Sequence, residues 1–348
     1  MKQRQTELDI LRFLATLAVI MTHVCGGTVD SISVNSQAWV LLNSCRAAVT
    51  WDVPVFIMIS GRFFLDENRT VTLKDIFGKY IKRLILAFVV WSAVYQAYYV
   101  IHSAALGTAY LNIKGILSEW ITGAYHLWYL YMLAGLYILT PFLRKIAQDK
   151  KLTEYFLVLF VISQFVTNYA VAIPKIGEIV SAVLGKTYFH FTLGYAGYFL
   201  LGYYLYRYGV PEEWEKPLYA LGIVLAVFSA VATTLHSQYE GAVNEWFSKY
   251  QMPNIIIESA ALYTFFVKRV SRIQFSERCR AFFARMTELG FGVYLIHALL
   301  IDLIGLTGLT VRILPVLTLP LLTAVVLVLS LILTKFIRSI PLVGKLIT

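Results

Sequence analysis

Ten apolar segments divide this chain, each long enough to span a hydrocarbon core about 30 Å thick. Hydrophobic residues make up 59% of the 348 residues and charged residues only 14%, which is too apolar for a soluble domain of this length. The sequence therefore predicts an all-α, polytopic membrane protein with about ten transmembrane helices, folded as a single domain over residues 1–348. The segments lie near residues 8–26, 37–61, 80–103, 126–143, 153–173, 189–208, 217–236, 252–268, 289–306 and 312–336.

The Lys and Arg residues are distributed unevenly between the two sides of these segments. With a cytoplasmic N-terminus, 23 of the 30 fall on cytoplasmic connections and five on the opposite side, while Arg12 and Arg46 lie within helices. Because short translocated loops are depleted of basic residues, both termini are predicted to be cytoplasmic. This bias and attraction to anionic lipid account for the net charge of +10, so we expect the bilayer as a partner and no nucleic acid.

The first segment carries ionisable residues along one stripe. Asp9, Arg12, Thr16 and His23 follow spacings of three, four and seven, which place them on one face of a helix. The eleven residues from Arg12 to His23 rise about 16 Å. Ionisable groups within a membrane cost a few kcal/mol unless they face a protein interior or a wet cavity, so this stripe predicts a functional site.

Polar residues in later segments have two open interpretations. Lys79, Lys82 and Arg83 share a helical face, where they are either positive-inside anchors or anion-binding residues. Glu258 and His297 lie within apolar segments, where each serves either the core or a site, and Glu258 needs a partner that Arg12 or Arg46 could supply.

Other features predict structure rather than chemistry. Pro54 is expected to kink its helix because proline lacks the backbone N–H that a helix interior requires. Gly194, Gly197 and Gly202 in the sixth segment predict close helix packing. Three cysteines are too few for a disulfide framework or a Cys-based zinc site, and no metal is expected. The first segment lacks a small-residue cleavage site, so it is predicted to be retained.

A cation at the cytoplasmic end and a base near the outer end suit coenzyme A as an acyl donor. Its anionic nucleotide favours Lys and Arg, and its pantetheine arm is narrow and comparable in length to the rise from Arg12 to His23. A neutral imidazole is a suitable base for an acceptor hydroxyl that attacks a thioester. Trp128, Tyr129 or an Arg could stabilise the oxyanion that forms.

Four motifs in order resemble the acyltransferase-3 family of integral membrane proteins. Residues 7–15 followed by His23 resemble its opening, 53–61 its second-helix motif, 126–130 its fourth-helix motif and 293–297 its late motif. The chain looks most similar to the subgroups of the enterobacterial common antigen O-acetyltransferase and of the membrane portion of vancomycin-resistance serine racemases. Within residues 1–348, neither a racemase domain nor an esterase-like domain is expected.

The resemblance implies transfer of an acetyl group from cytoplasmic acetyl-coenzyme A to a hydroxyl of an extracytoplasmic acceptor, a cell-surface glycan or its precursor, in a bacterial inner membrane. The family's basic third-helix motif falls on Lys79 and Lys82, where Lys replaces Arg, and Arg46 lies further before Val53 than the family's usual basic residue. The predicted site thus comprises a catalytic set (His23, Asp9 and Trp128), a donor-binding set (Arg12, Lys79, Lys82 and Arg83) and an acceptor-binding set (Arg46, His126, Tyr129, Glu258 and His297).

Two other functions are considered. A transporter of a small molecule such as an amino acid could use Asp9, Arg12, Glu258 and His297 as a substrate or proton path, and broken helices or an inverted repeat would favour it. A purely structural membrane anchor leaves the stripe of ionisable residues unexplained. The acceptor, the size of the acyl group and the oligomeric state are not predicted by the sequence.

Overall fold

The computed structural model describes residues 5–108, 112–171, 173, 176–184, 194–308, 315–341 and 344–348, and every regular element in these ranges is helical. Among them, eight spans have the length and apolar composition needed to cross a membrane. The spans are α1 (Thr6–Val29), α2 and α3 together (Gln37–Ala48 and Asp52–Phe64), α4 (Leu73–Ala105), α6 (Tyr125–Gln148), α7 (Lys150–Ala170), α10 (Glu212–Glu240), α12 (Glu277–Gly305) and α13 (Pro315–Arg338). Shorter helices are α5 (Ile113–Thr122), α8 (Ile176–Leu184), α9 (Ala196–Arg207), α11 (Pro253–Lys268) and α14 (Gly344–Ile347).

This architecture confirms the predicted all-α, polytopic membrane fold. The eight spans coincide with eight of the predicted segments, and the other two correspond to the shorter helices α9 and α11. Residues 172, 189–193 and 312–314 of three predicted segments lie outside the described residues. The cytoplasmic placement of the termini stays a prediction from charge. The two sides are therefore called here the basic end, which holds Arg12 and Arg62, and the far end, which holds His23.

Helix α1 is the centre of the bundle. It packs against α2, α3, α11, α12 and α13. Leu8, Leu11 and Ala15 on its core side are fully buried. Because the helix is continuous from Thr6 to Val29, the Arg12 and His23 side chains stand on one straight element, with the predicted rise of about 16 Å between them.

The helix that was expected to kink at Pro54 is instead interrupted before it. Helix α2 ends at Ala48, a turn follows, and α3 begins at Asp52, which puts Pro54 in the first turn, where its missing N–H costs no hydrogen bond. The Asp52 carboxylate accepts a hydrogen bond from the Val53 amide at 2.6 Å. The interruption thus places a carboxylate within the span Gln37–Phe64.

Helices α3 and α9 pack with their backbones nearly in contact. A Cβ on Gly61 would lie 1.8 Å from the carbonyl oxygen of Phe199, and one on Gly202 would lie 2.1 Å from that of Met58. A Cβ on Gly197 would overlap the Phe160 ring. The prediction of close packing in the sixth segment is confirmed at Gly197 and Gly202.

Candidate active site

Three cavities lie in series along α1. The basic-end cavity has a volume of 840 Å³ and the central cavity 230 Å³, and Arg12 lines both of them. The far-end cavity has a volume of 530 Å³, and it shares His23 and Tyr250 with the central cavity. Arg12 and His23 of the predicted stripe therefore stand at the two junctions between cavities.

The basic-end cavity is lined by four arginines, each from a different part of the chain. Arg12 on α1 pairs with Asp9 at 3.4 Å, and its guanidinium stacks on the Phe63 ring, 4.7 Å from the centroid. The other three are Arg62, which pairs with Asp66 at 3.0 Å, Arg207, which pairs with Glu67 at 3.0 Å, and Arg69, which donates to the Tyr80 hydroxyl at 2.6 Å.

The loop after α3 gives this cavity a fixed wall. Arg144 on α6 donates hydrogen bonds to the carbonyl oxygens of Phe64, Asp66 and Arg69 at 2.7, 3.1 and 2.8 Å. Burial opposes ionisation of Asp66, yet hydrogen bonds from Arg62 and Asn68 hold its pKa at about 2. The carboxylate therefore remains charged at neutral pH and orients Arg62.

The central cavity is a narrow passage with aromatic walls. Arg12 stands at its basic end and His23 at its far end. Phe13, Thr16 and Gly290 line it between these ends. Besides Phe13 and Tyr250, it is lined by aromatic residues from three other helices, and they are Phe56 on α3, Trp128 and Tyr129 on α6, and Phe291 and Tyr294 on α12. Such a lining suits an uncharged, extended ligand.

Three histidines meet at the far end of this passage. The His23 ring centroid lies 5.1 Å from that of His297 and 6.5 Å from that of His126, and the last two are 5.3 Å apart. His297 Nδ1 lies 2.7 Å from the Tyr294 carbonyl oxygen and so carries the proton donated to it. Its Nε2 is buried and has no hydrogen-bond partner among the described residues. The structure thus brings together three residues predicted from different segments.

The far end contains two residues that the sequence interpretation missed, Tyr250, which lines the far-end cavity, and Asp52, which lies behind it. Asp52 is 1% exposed, accepts a hydrogen bond from Thr22 at 3.3 Å, and interacts electrostatically with the Tyr250 side chain. Asp52 was visible in the sequence as an acidic residue before Pro54. Tyr250 lies in the connection before α11, where no periodic pattern marks it. Arg46 also lines this cavity, and it pairs with Glu245.

Other predicted site residues lie elsewhere. Asp9 is at the basic end, about 21 Å along α1 from His23, so it contacts Arg12 and not the imidazole. Lys79 and Lys82 are exposed and line none of the three cavities. Arg83 donates to the Thr348 carbonyl at 2.8 Å, and its guanidinium lies 4.8 Å from the centroid of Phe291.

Glu258 belongs to a separate polar cluster between α10 and α11. Its Oε1 accepts a hydrogen bond from Ser229 at 2.5 Å, and Asn254 donates to the same Ser229 at 2.7 Å. The partner expected from Arg12 or Arg46 is therefore wrong: Ser229 takes that place, because α11 turns Glu258 toward α10 and away from the cavities.

The described residues contain no group of three or more His, Cys, Asp or Glu side chains suited to hold a metal ion. The three cavities contain cations, an aromatic passage and an imidazole, a combination that suits polar chemistry at a carbonyl group. Comparison with known proteins gives a match to the acyltransferase domain family over residues 5–335. No curated protein and no solved structure matches the chain.

Proposed function

Because this chain belongs to the acyltransferase-3 family of membrane acyltransferases, we propose that it moves an acetyl group from cytoplasmic acetyl-coenzyme A to a hydroxyl of an acceptor on the far side of the membrane. The observation that carries this proposal is the series of three cavities, with Arg12 at the first junction and His23 at the second.

Each of the three cavities suits a different part of the reaction between acetyl-coenzyme A and its acceptor. The arginines of the basic-end cavity would bind the phosphates, because guanidinium groups form paired hydrogen bonds with phosphate oxygens. The pantetheine arm would extend through the aromatic passage past Arg12. This arrangement would bring the thioester to His23, where the far-end cavity admits the acceptor.

The chemical step requires one base and one site for negative charge. His23 takes the proton of the acceptor hydroxyl as its oxygen bonds to the thioester carbon, and the carbonyl electron pair moves onto oxygen. The C=O bond then re-forms, the C–S bond breaks, and the sulfur leaves with the proton that His23 returns. The products are the acetyl ester and free coenzyme A.

Neighbouring residues would assist His23. His297 donates through Nδ1 to Tyr294, so its Nε2 can accept a hydrogen bond from the His23 ring and fix which His23 nitrogen acts as the base. Trp128 lines the same passage and could donate to the reacting carbonyl. Asp9 would act at a distance, by orienting Arg12.

The acceptor is proposed by class alone. A glycan of the bacterial cell surface or its precursor is expected, as for the common antigen O-acetyltransferase that the sequence resembles. Tyr125, Asp30 and Asp302 line the far-end cavity and provide hydrogen-bonding groups for a polyhydroxylated molecule. Arg46 and His126 would contact the acceptor at the same end.

Calorimetric titration of acetyl-coenzyme A into the purified, detergent-solubilised protein tests the proposal. Saturable binding to wild type, together with release of free thiol when hydroxyl acceptors are added, is expected. Absence of binding in well-folded protein would contradict the acyltransferase proposal and favour transport.

One observation favours the transporter as the second candidate. The span Gln37–Phe64 is interrupted between α2 and α3, and discontinuous helices with buried ionisable residues are common in transporters. The interruption lies beside the His23 junction, through Asp52 and Thr22. Uptake of labelled serine into vesicles that contain the protein, without acetyl-coenzyme A, would distinguish transport from acyl transfer.

A further inference from the structure

Tyr250 occupies the same junction as His23. Of the described residues that line the central and far-end cavities, these two are the ones common to both. A thioester held at this junction has the imidazole on one side and the phenol on another. Tyr250 therefore stands beside the bond that the proposed reaction breaks.

Neighbouring residues restrain both the backbone and the ring of Tyr250. Its backbone carbonyl oxygen accepts a hydrogen bond of 2.6 Å from the hydroxyl of Tyr198, which is fully buried. Its ring lies 6.0 Å from the Trp128 indole at an interplanar angle of 30°. A group fixed before the substrate arrives needs little reorganisation during the reaction, which is the requirement for stabilising a developing charge.

The Asp52 carboxylate interacts electrostatically with the Tyr250 side chain, and it has hydrogen-bond donors of its own. The Val53 amide and the Thr22 hydroxyl both donate to its carboxylate. The Tyr250 O–H can therefore turn toward a substrate oxygen without leaving the Asp52 carboxylate unpaired. Arg46, which lines the far-end cavity, is paired with Glu245 through Nη2.

We propose that Tyr250 is a further catalytic residue, whose hydroxyl donates a hydrogen bond to the acyl carbonyl oxygen as negative charge develops on it. Asp52 is then a positioning residue, because its interaction with the phenol orients the hydroxyl at the junction before the substrate binds. This inference rests on the proposed function. The bonds that form and break are the same as in the proposed function. Tyr250 adds one hydrogen-bond donor to the oxyanion, which becomes a carbonyl group again when the C–S bond breaks.

Tyr250→Phe removes this donor and keeps the ring. The turnover number for thiol release from acetyl-coenzyme A should fall about 10²–10³-fold. The dissociation constant for the donor should stay within about twofold, because the interaction forms in the transition state and not on binding. Tyr195→Phe is the matched control, since Tyr195 also stacks near Trp128, at 5.6 Å, but lines neither cavity.

Asp52→Asn tests the positioning role in the same assay. If Asp52 acts through Tyr250, the turnover number of the double variant Asp52→Asn and Tyr250→Phe should be no lower than that of Tyr250→Phe alone. Unchanged turnover in Tyr250→Phe would overturn the inference, as would parallel loss of donor binding and thermal stability, which would indicate a structural role. Failure of wild type to release thiol would instead contradict the proposed function, so the two failures are distinguishable.

Discussion

The two ends of α1 differ in the charged and polar groups that surround them. At the basic end, Arg12 belongs to a cavity in which three of the four arginines pair with acidic residues. At the far end, His23 lies among two other histidines and several tyrosines, and Arg46 and Glu245 of the adjoining cavity pair with each other. One end can exchange ion-pair partners, whereas the other provides directed hydrogen bonds in a confined space.

This difference assigns binding and chemistry to separate ends. Arginines that line a cavity can exchange a carboxylate partner for phosphate oxygens, and salt weakens such binding. Groups that are held in place before a reaction act strongly on charge that develops during it. A variant at the basic end should therefore change donor affinity, and a variant at the far end should change turnover.

His23→Ala should have the largest effect. Loss of the general base is expected to lower turnover by about 10²–10⁴-fold while the dissociation constant for acetyl-coenzyme A stays near the wild-type value. Rates of thiol release and calorimetric titration measure the two quantities on the same preparation. His236→Ala is the control, since His236 interacts with Glu240 on α10 and lines none of the three cavities.

Loss of acetyl-coenzyme A binding in His23→Ala would contradict the assignment of binding and chemistry to separate ends. It would mean that the imidazole either contacts the donor or is needed for folding. Thermal unfolding in detergent separates these two cases.

Arg12→Gln should produce the next largest effect, at the opposite end of α1. Removing a charge that can donate two hydrogen bonds costs about 1.5–3 kcal/mol, which is about a tenfold to hundredfold rise in the dissociation constant for acetyl-coenzyme A. The rise should shrink as salt is added. Turnover at saturating donor should change little, since Arg12 lies about 16 Å from His23.

The matched comparison is the double variant Lys79→Gln and Lys82→Gln, which removes two charges outside the cavities. Exposed charges contribute about 0–1 kcal/mol each, so donor affinity should weaken less than about fivefold per charge removed. A larger loss than in Arg12→Gln would restore the donor role that family resemblance gives these lysines and would place the phosphates outside the basic-end cavity.

The sequence was most informative about residues whose spacing lies within one helix. The stripe from Asp9 to His23 follows from helix geometry alone, and α1 is continuous over it. His126 and His297 stood out as polar residues in apolar segments, but their meeting with His23 depends on how α6 and α12 pack against α1. No periodicity within one segment contains that information.

The grouping of the basic-end arginines also could not be predicted from the sequence. Arg62, Arg69 and Arg207 were counted as topological charges, because positive-inside bias explains any basic residue at that end. Their convergence with Arg12 arises from the loop that Arg144 holds and from the contact of α3 with α9. Tyr250 lies in a connection, where neither charge nor period marks a functional residue.

Gly202→Ala should have the smallest effect on the site and a clear effect on the fold. The added methyl group would meet the Met58 carbonyl and force α9 away from α3, which typically costs about 1–3 kcal/mol of stability. Thermal unfolding in detergent measures the loss. Gly135→Ala is the control, because nothing lies within 4 Å of the new Cβ and alanine favours the helix.

The same variant also sharpens the difference between the two ends. The residues after Gly202 on α9 include Tyr206, whose ring lies 3.4 Å from the Arg62 guanidinium in the basic-end cavity, whereas no residue of α9 lines the central or far-end cavity. A displaced α9 should therefore weaken donor affinity a few-fold and leave turnover at saturating donor unchanged. An equal loss of turnover would mean that strain from α9 reaches His23 through α3, and that the two ends of α1 do not act independently.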